Sequence, residues 1–179
     1  QKIAQTLHIA YYDKELLAVA AKKSGLSSQF MNTYDEKPTR SFLYSLVMGQ
    51  RGLFTDSAEA TVEQLAANAQ RDAILAVAGE GSCVIVGRCA DHVLRNEQGL
   101  LRVFLTADHG DRIQRICRRD SVTTAEAEEK LQRMDRSRAA YYRFRCDQTW
   151  GAAANYDLCI NSGRIGIDAS VEVIADYVE

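Results

Sequence analysis

The chain has 179 residues, of which 46% are hydrophobic and 26% charged, a balance that gives a globular domain enough apolar surface for one sizeable core. It carries 22 Lys plus Arg against 24 Asp plus Glu, and the resulting net charge of −2 argues against partners recognised by bulk charge, such as nucleic acids or membrane surfaces. One proline and 11 glycines exclude collagen-like and proline-rich chains.

The five cysteines are scattered along the chain without a C-x-x-C pair, and neither they nor the three histidines have the spacing of a zinc site. Their odd number and the lack of a visible signal peptide predict a reduced, cytoplasmic protein. The longest apolar runs, such as residues 83–86, are far too short to cross a bilayer.

Apolar periodicity predicts helices and strands in alternation. Residues 1–8 are typical of part of a helix, residues 9–12 of a short strand, and Asp13 of the N-cap of a helix over 14–23. A short helix over 41–48 precedes a long one that begins at Ser57, a candidate cap, and ends near the glycines at 79–81. The remaining predictions are strands over 83–86, 101–105 and 156–160, and helices over 89–95, 108–119, 123–145 and 167–177.

This alternation predicts an α/β fold, a parallel sheet flanked by helices and joined by right-handed crossovers. The apolar runs at 83–86 and 101–105 indicate buried strands, and 83–86 is typical of the centre of such a sheet. Ligands bind at the carboxyl ends of parallel strands, which directs attention to Asp13 and to residues 87–91, 106–108 and 161–163. Asp13 would there act as a helix cap, as a ligand-facing carboxylate, or as both.

The strand at 83–86 is followed by Gly87-Arg88-Cys89-Ala90-Asp91. Gly87 permits a sharp turn or the close approach of a ligand, and the planar guanidinium of Arg88 suits phosphate. The structural alternative pairs Arg88 with Asp91 or with a helix C-terminus. We favour the phosphate site, because an arginine at the edge of a buried strand is costly without a strong partner.

The segment 111–145 is rich in arginine, with Lys130 as its one lysine. A solvated helical hairpin held by i,i+4 pairs is one interpretation, and a mobile lid that closes over a polyphosphate is the other. The choice of arginine over lysine favours the lid, because guanidinium groups bind phosphate in a bidentate way. An aromatic cluster follows, for which packing at the base of the lid is favoured over base stacking; it comprises Tyr141, Tyr142, Phe144 and Trp150.

These residues together resemble the cytidylate kinase-like family, within the P-loop class of nucleoside monophosphate kinases. The resemblance is carried by residues 11–16, 83–91, 101–105, 112–119 and 156–162. It implies a three-layer parallel sheet with a helical lid, in which 1–179 is one kinase-like domain, 27–80 a helical acceptor-site insertion and 120–150 the arginine-rich lid. It also implies transfer of the γ-phosphoryl group of ATP, with Mg²⁺, to CMP or dCMP, so that the partners are small nucleotides.

The resemblance also implies roles for individual side chains. It places Arg88 at the acceptor phosphate, as a catalytic residue, and around the acceptor it places Asp13, Arg40, Arg71 and Asp91. It places Arg112 and Arg115 beside ATP, Ser162 and Gly163 at the adenine in the loop after the last strand, and Arg133, Arg136 and Arg138 as catalytic lid residues. No protein metal ligand is predicted.

The sequence departs from this family at two places. Cytidylate kinases carry an aspartate directly after the Gly-Arg pair, where this chain has Cys89, which leaves cytosine specificity open. No G-x-x-x-x-G-K-[ST] loop is present, yet residues 1–8 match the helix that follows such a loop. We therefore expect the first strand and the phosphate-binding loop to be missing from this sequence. The alternatives are a non-catalytic nucleotide-binding module and a P-loop kinase for another small acceptor.

Overall fold

The computed structural model describes residues 1–13 and 56–178. In chain order the elements are α1 (Lys2–Thr6), β1 (Ala10–Tyr12), α2 (Asp56–Gly79), β2 (Cys83–Ile85), α3 (Ala90–Val93), β3 (Val103–Thr106), α4 (His109–Asp120), α5 (Thr124–Cys146), a 3₁₀ turn (Ala153–Asn155), β4 (Leu158–Asn161), α6 (Ser162–Ile165) and α7 (Ile167–Val178). The helices predicted over 14–23 and 41–48, and with them Arg40, lie outside the described residues.

The described chain is a mixed α/β structure with two small parallel sheets, and it divides into two units. One unit comprises Gln1–Ile9 with Arg95–Glu179, and it contains β3 and β4. The other comprises Ala10–Leu94, and it contains β1 and β2. None of the helices described in residues 1–13 and 56–178 is both long and apolar enough to cross a membrane.

In the unit Ala10–Leu94, β1 runs parallel to β2, with Tyr11 opposite Val84, and the N–H of Val86 extends the ladder by donating to the carbonyl of Tyr12 at 3.0 Å. The two strands are separated along the chain by a crossover that includes α2, as parallel pairing requires. Buried side chains of α2, including the fully buried Ile74, form the core of this unit together with Ala90 and Leu94.

In the other unit, β3 pairs with β4 in parallel, with Val103 opposite Leu158 and Thr106 opposite Asn161. Both strands begin later than predicted, because Arg102 and Asp157 form a clamp before them. The Arg102 guanidinium and then its backbone N–H donate to the Asp157 carboxylate at 2.6–3.0 Å, which lowers the pKa of that carboxyl. The clamp lies at the amino ends of the strands, so it fixes their register at the end opposite their carboxyl ends.

Within residues 1–13 and 56–178 the element types predicted from periodicity are found, but the predicted burial of two strands is wrong. Among the described residues β2 pairs with β1 alone and is half-buried, and the adjacent Val86 is 45% exposed. Leu105 in β3 is 56% exposed. Among the described residues each strand pairs with one other strand, and the residues do not reach the burial of a central strand. Ser57 lies inside α2 and does not precede it, and α3 is four residues long.

Helices α4 and α5 form a hairpin around a small apolar core. Ile116 of α4 packs with Ala127 and Leu131 of α5, and all three are buried. The second helix begins with a capping box, in which Thr123 and Glu126 bond each other's backbone N–H groups. Both helices therefore belong to one packed body, and a motion of the predicted lid (120–150) that preserves this core would carry α4 with it.

At the turn of the hairpin, Asp120 accepts hydrogen bonds from the side chains of Arg119 and Lys130. These bonds, chiefly the one from Arg119, hold the pKa of the Asp120 carboxyl far below its usual range. A carboxyl with a lowered pKa in the folded protein adds stability above its unfolded value of about 3.9, and this stability is lost as the pH falls through the folded value.

We predict that Asp120→Asn lowers Tm at pH 7, because the charged partner of two cations is removed. The difference from the parent should shrink as the pH falls below about 4, because the carboxyl of the unfolded parent then takes up a proton that the folded protein does not, and it should vanish only once the pH has fallen through the much lower folded value. Thermal unfolding followed by circular dichroism at several pH values measures it. A Tm difference that stays constant from pH 7 to acid would contradict this role for the Asp120 charge.

Candidate functional site

The carboxyl ends of β3 and β4 are joined by a polar network. The side-chain amide of Asn161 donates to Asp108 Oδ1 at 2.7 Å, and its oxygen caps α6 by accepting from the N–H groups of Gly163 and Arg164 at 3.1 and 3.3 Å. Arg164 Nε donates to the other Asp108 oxygen at 3.3 Å, and Ser162 Oγ donates to the Thr106 carbonyl at 3.0 Å. The network fixes the two strand ends against each other.

Ser162 and Gly163, predicted to border adenine from a loop, lie instead in the first turn of helix α6. The change follows from Asn161, whose side chain supplies the acceptor that starts the helix. Gly163 approaches α4 closely: a Cβ there would lie 2.8 Å from Asp111 Oδ2 and 3.0 Å from the Ala107 Cβ. A larger residue there would require the Asp111 carboxylate to turn away and the Ala107 methyl group to move by a few tenths of an ångström.

The predicted ATP-binding residue Arg112 forms a bidentate ion pair across the hairpin. Its Nη1 and Nη2 donate to the two carboxylate oxygens of Asp135 at 2.7 and 2.6 Å. The predicted catalytic residue Arg138 lies on the same helix as Asp135, with its Nη1 3.7 Å from Oδ1 of that carboxylate. The structure thus brings together two of the predicted arginines, around a carboxylate that sequence reasoning left without a role.

The other predicted arginines of the hairpin do not join this cluster. Arg136 Nε donates to the carbonyl of Gln132, one turn earlier in its own helix, at 3.3 Å. Arg115 and Arg133 are exposed. Asp135 could have been found from sequence, because it lies four residues after the core residue Leu131 and three before Arg138, on one helical face.

The predicted acceptor residues of the other unit gather where β1 and β2 end. Asp13 follows β1, and the turn after β2 holds Gly87, Arg88 and Cys89, all with positive φ (73°, 61° and 54°). Left-handed backbone costs a residue other than glycine roughly 1–2 kcal/mol, and such strain concentrates at functional sites. Arg88 is half-buried, Cys89 is buried, and the half-buried Asp91 lies in the first turn of α3.

Arg71, a further acceptor-site candidate, is exposed on α2. The structure shows no hydrogen bond or ion pair between Arg71 and the turn after β2. Among the residues described, 1–13 and 56–178, no group of three or more His, Cys, Asp or Glu could hold a metal ion by itself. Mg²⁺ bound to a nucleotide needs fewer protein ligands, because phosphates and water supply most of its coordination.

The predicted aromatic cluster divides into separate roles. Trp150 packs edge-on against Phe104 of β3 at 5.4 Å between ring centroids, and Tyr142 is buried. Arg145 lies over the Tyr141 ring at 5.5 Å, in cation–π geometry, whereas Phe144 is 72% exposed. Packing therefore accounts for Trp150 and Tyr142, in keeping with the interpretation favoured from sequence.

We predict that Gly163→Ala lowers the free energy of unfolding by about 1–3 kcal/mol, because the new Cβ overpacks against Ala107 and Asp111. Gly110→Ala is the matched control: it lies in α4 with nothing within 4 Å of an added Cβ, and alanine there should be neutral or stabilising by up to about 1 kcal/mol. Urea unfolding measures both, and equal effects would contradict the close approach at Gly163.

Comparison with known proteins identifies the family. The model of the cytidylate kinase-like family matches residues 1–164. Comparison with curated proteins gives no significant match. Among solved structures, the chain is similar to the crystal structure of an uncharacterized protein from Eubacterium ventriosum, at 26% identity and a TM-score of 0.72, with 99% of this chain and 86% of that chain covered. The chain belongs to the cytidylate kinase-like family.

Proposed function

We propose that this protein is an ATP-dependent nucleoside monophosphate kinase that transfers the γ-phosphoryl group of ATP to CMP or dCMP. The proposal includes the three-layer parallel sheet of the P-loop kinases, with residues 27–80 as the acceptor-site insertion and 120–150 as the lid. One observation carries it beyond the family match: the strained turn that follows β2 and presents Arg88.

On the acceptor side, three successive left-handed residues turn the chain immediately after a parallel strand. The chain bears the cost of this conformation at Arg88 and Cys89, where glycine would remove it. Arg88 offers a planar, permanently charged fork for the acceptor phosphate. Asp13, Asp91, Arg40 and Arg71 are proposed to complete the acceptor site, with the two carboxylates accepting bonds from base or ribose.

On the donor side, the proposal assigns ATP to the arginine-bearing hairpin and to the ends of β3 and β4. Arg112 and Arg115 would contact the nucleotide, Ser162 and Gly163 would border its adenine, and the lid arginines would contact the transferred group; these are Arg133, Arg136 and Arg138. The cluster of Arg112 and Arg138 around Asp135 supports a place for phosphate on this hairpin, because it keeps one net positive charge.

Phosphoryl transfer requires the protein to position the two reactants and to stabilise the charge that develops in the transition state. An oxygen of the acceptor phosphate attacks the γ-phosphorus, the bond from that phosphorus to the β–γ bridging oxygen breaks, and its electron pair leaves with ADP, which gives a nucleoside diphosphate. Mg²⁺ bound to the ATP phosphates supplies charge neutralisation there. Arg88 would hold the acceptor in line, and the hairpin arginines would meet the charge of the equatorial oxygens.

We predict that the full-length protein with ATP and Mg²⁺ phosphorylates CMP or dCMP within a panel of nucleoside monophosphates and other small acceptors. Arg88→Ala should raise KM for the acceptor and lower kcat by about 100-fold or more, because an anchor for one reacting group is lost. Arg88→Lys should recover only part of this, since lysine keeps the charge and loses the fork.

Arg118→Ala is the matched control, because Arg118 is an exposed arginine of α4 outside the proposed site. It should leave both constants unchanged. An Arg88→Ala enzyme as active as the parent would refute the assignment of Arg88. Nucleotide binding without transfer to any acceptor would favour the non-catalytic module, and transfer to a different acceptor would favour another P-loop kinase activity.

A further inference from the structure

The carboxylate of Asp135 on α5 lies between two arginines, Arg112 on α4 and Arg138 on α5. Its two carboxylate oxygens accept from both Nη atoms of Arg112 on α4, at 2.7 and 2.6 Å, and Arg138 of its own helix lies 3.7 Å from one of them. The side chains of Arg112 and Asp135 are 28% and 29% exposed. The pair is therefore partly shielded from solvent, which strengthens it compared with a surface ion pair.

Within the part of the chain that the structure describes, Arg112 has N–H donors that no acceptor uses. A guanidinium has five N–H groups in one plane, and Asp135 accepts from one on each Nη, so the Nε–H and the second N–H on each Nη remain available for another anion. The carboxylate also fixes the plane in which these donors point. Without it, the ligand would have to order a long side chain that has many rotamers.

A second aspartate of the hairpin, Asp120, also has two cationic partners, and it serves as a comparison for an ion pair with a structural role alone. Asp120 accepts from Arg119 and Lys130 at the turn between the helices. Its partners are exposed or near the turn, and the resemblance assigns neither of them to a nucleotide. The hairpin thus carries two aspartates with two cationic partners each, and only Asp135 holds residues that the proposed function gives to phosphate.

We propose that Asp135 is a positioning residue for phosphoryl transfer: it holds the guanidinium of Arg112, and orients Arg138, so that their remaining donors meet the phosphates of the donor nucleotide. The inference rests on the proposed function for the site and adds a residue to it. Asp135 acts through the arginines: it accepts hydrogen bonds from Arg112 and forms an ion pair with Arg138, and its own negative charge would repel the phosphates of the nucleotide.

The test uses the full-length protein and four variants: Asp135→Asn, Asp135→Glu, Arg112→Lys and the double variant Arg112→Lys/Asp135→Asn. Asp120→Asn is the matched control, since it removes the other doubly paired aspartate of the hairpin. Calorimetric titration with Mg·ATP gives Kd, steady-state assays give KM and kcat, and thermal unfolding gives Tm. Binding is measured separately from turnover, so that the positioning role and the kinase activity are tested independently.

We expect Asp135→Asn to raise Kd and KM for ATP about tenfold and to lower kcat, because a misplaced charged donor loses its stabilisation of the nucleotide. Asp120→Asn should lower Tm and leave Kd and KM unchanged. Asp135→Glu, which keeps the carboxylate, should recover part of the loss. In the Arg112→Lys background, Asp135→Asn should add little, because both changes remove the same interaction.

Three outcomes would overturn the inference. Asp135→Asn could match Asp120→Asn in every constant, it could bind ATP more tightly, which would make Asp135 a competitor of phosphate, or the parent could bind no Mg·ATP. Binding that depends on Asp135 without transfer to any acceptor would uphold the inference and refute the kinase proposal. Transfer at the parent's rate and KM in Asp135→Asn would uphold the kinase proposal and refute the inference about Asp135.

Discussion

Parallel pairing of short strands is the constraint on which the described structure depends. Two parallel strands cannot be joined by a tight turn, so the chain returns through a helical crossover, and their carboxyl ends then lie side by side. In one unit this brings the residues after β1 and β2 together, and in the other those after β3 and β4. Ladders of three or four residues have little stability of their own, and so bonds beyond them matter: the clamp of Arg102 on Asp157 at one end of the β3–β4 pair, and the bond from Asn161 to Asp108 at the other.

Arginine chemistry determines the second part of the structure. The α4–α5 hairpin carries a high density of positive charge, and two aspartates neutralise part of it at two places. At the turn, Asp120 stabilises the hairpin itself. Farther along, Asp135 holds Arg112 from the opposite helix, where the same ion-pair chemistry fixes the direction of a guanidinium group. A ligand that needs several oriented cations gains from such an arrangement, because the cost of ordering them is met by the fold.

Backbone conformation supplies a third, independent indication of function. The left-handed residues after β2 include Arg88 and Cys89, neither of which is favoured there. The N–H of Ala90 donates to the carbonyl of Gly87 at 3.1 Å across the turn, and Ala90 and Leu94 after it are buried, so the unit stabilises a conformation that its own residue types disfavour. Strain that is maintained in this way, beside a side chain suited to phosphate, agrees with the family to which the chain belongs.

The sequence by itself determined the alternation of helices and strands in the described residues, the start of α5 near residue 123, and the Gly87-Arg88 turn, because these depend on contacts between residues close in the chain. Periodicity could not give the burial of β2 or β3, since burial depends on how many strands lie beside them. Nor could it pair Arg112 with Asp135, 23 residues away, or show that Gly163 lies against Ala107. Only tertiary structure decided these, because the distance between two side chains on different elements depends on how those elements pack, which local patterns do not specify.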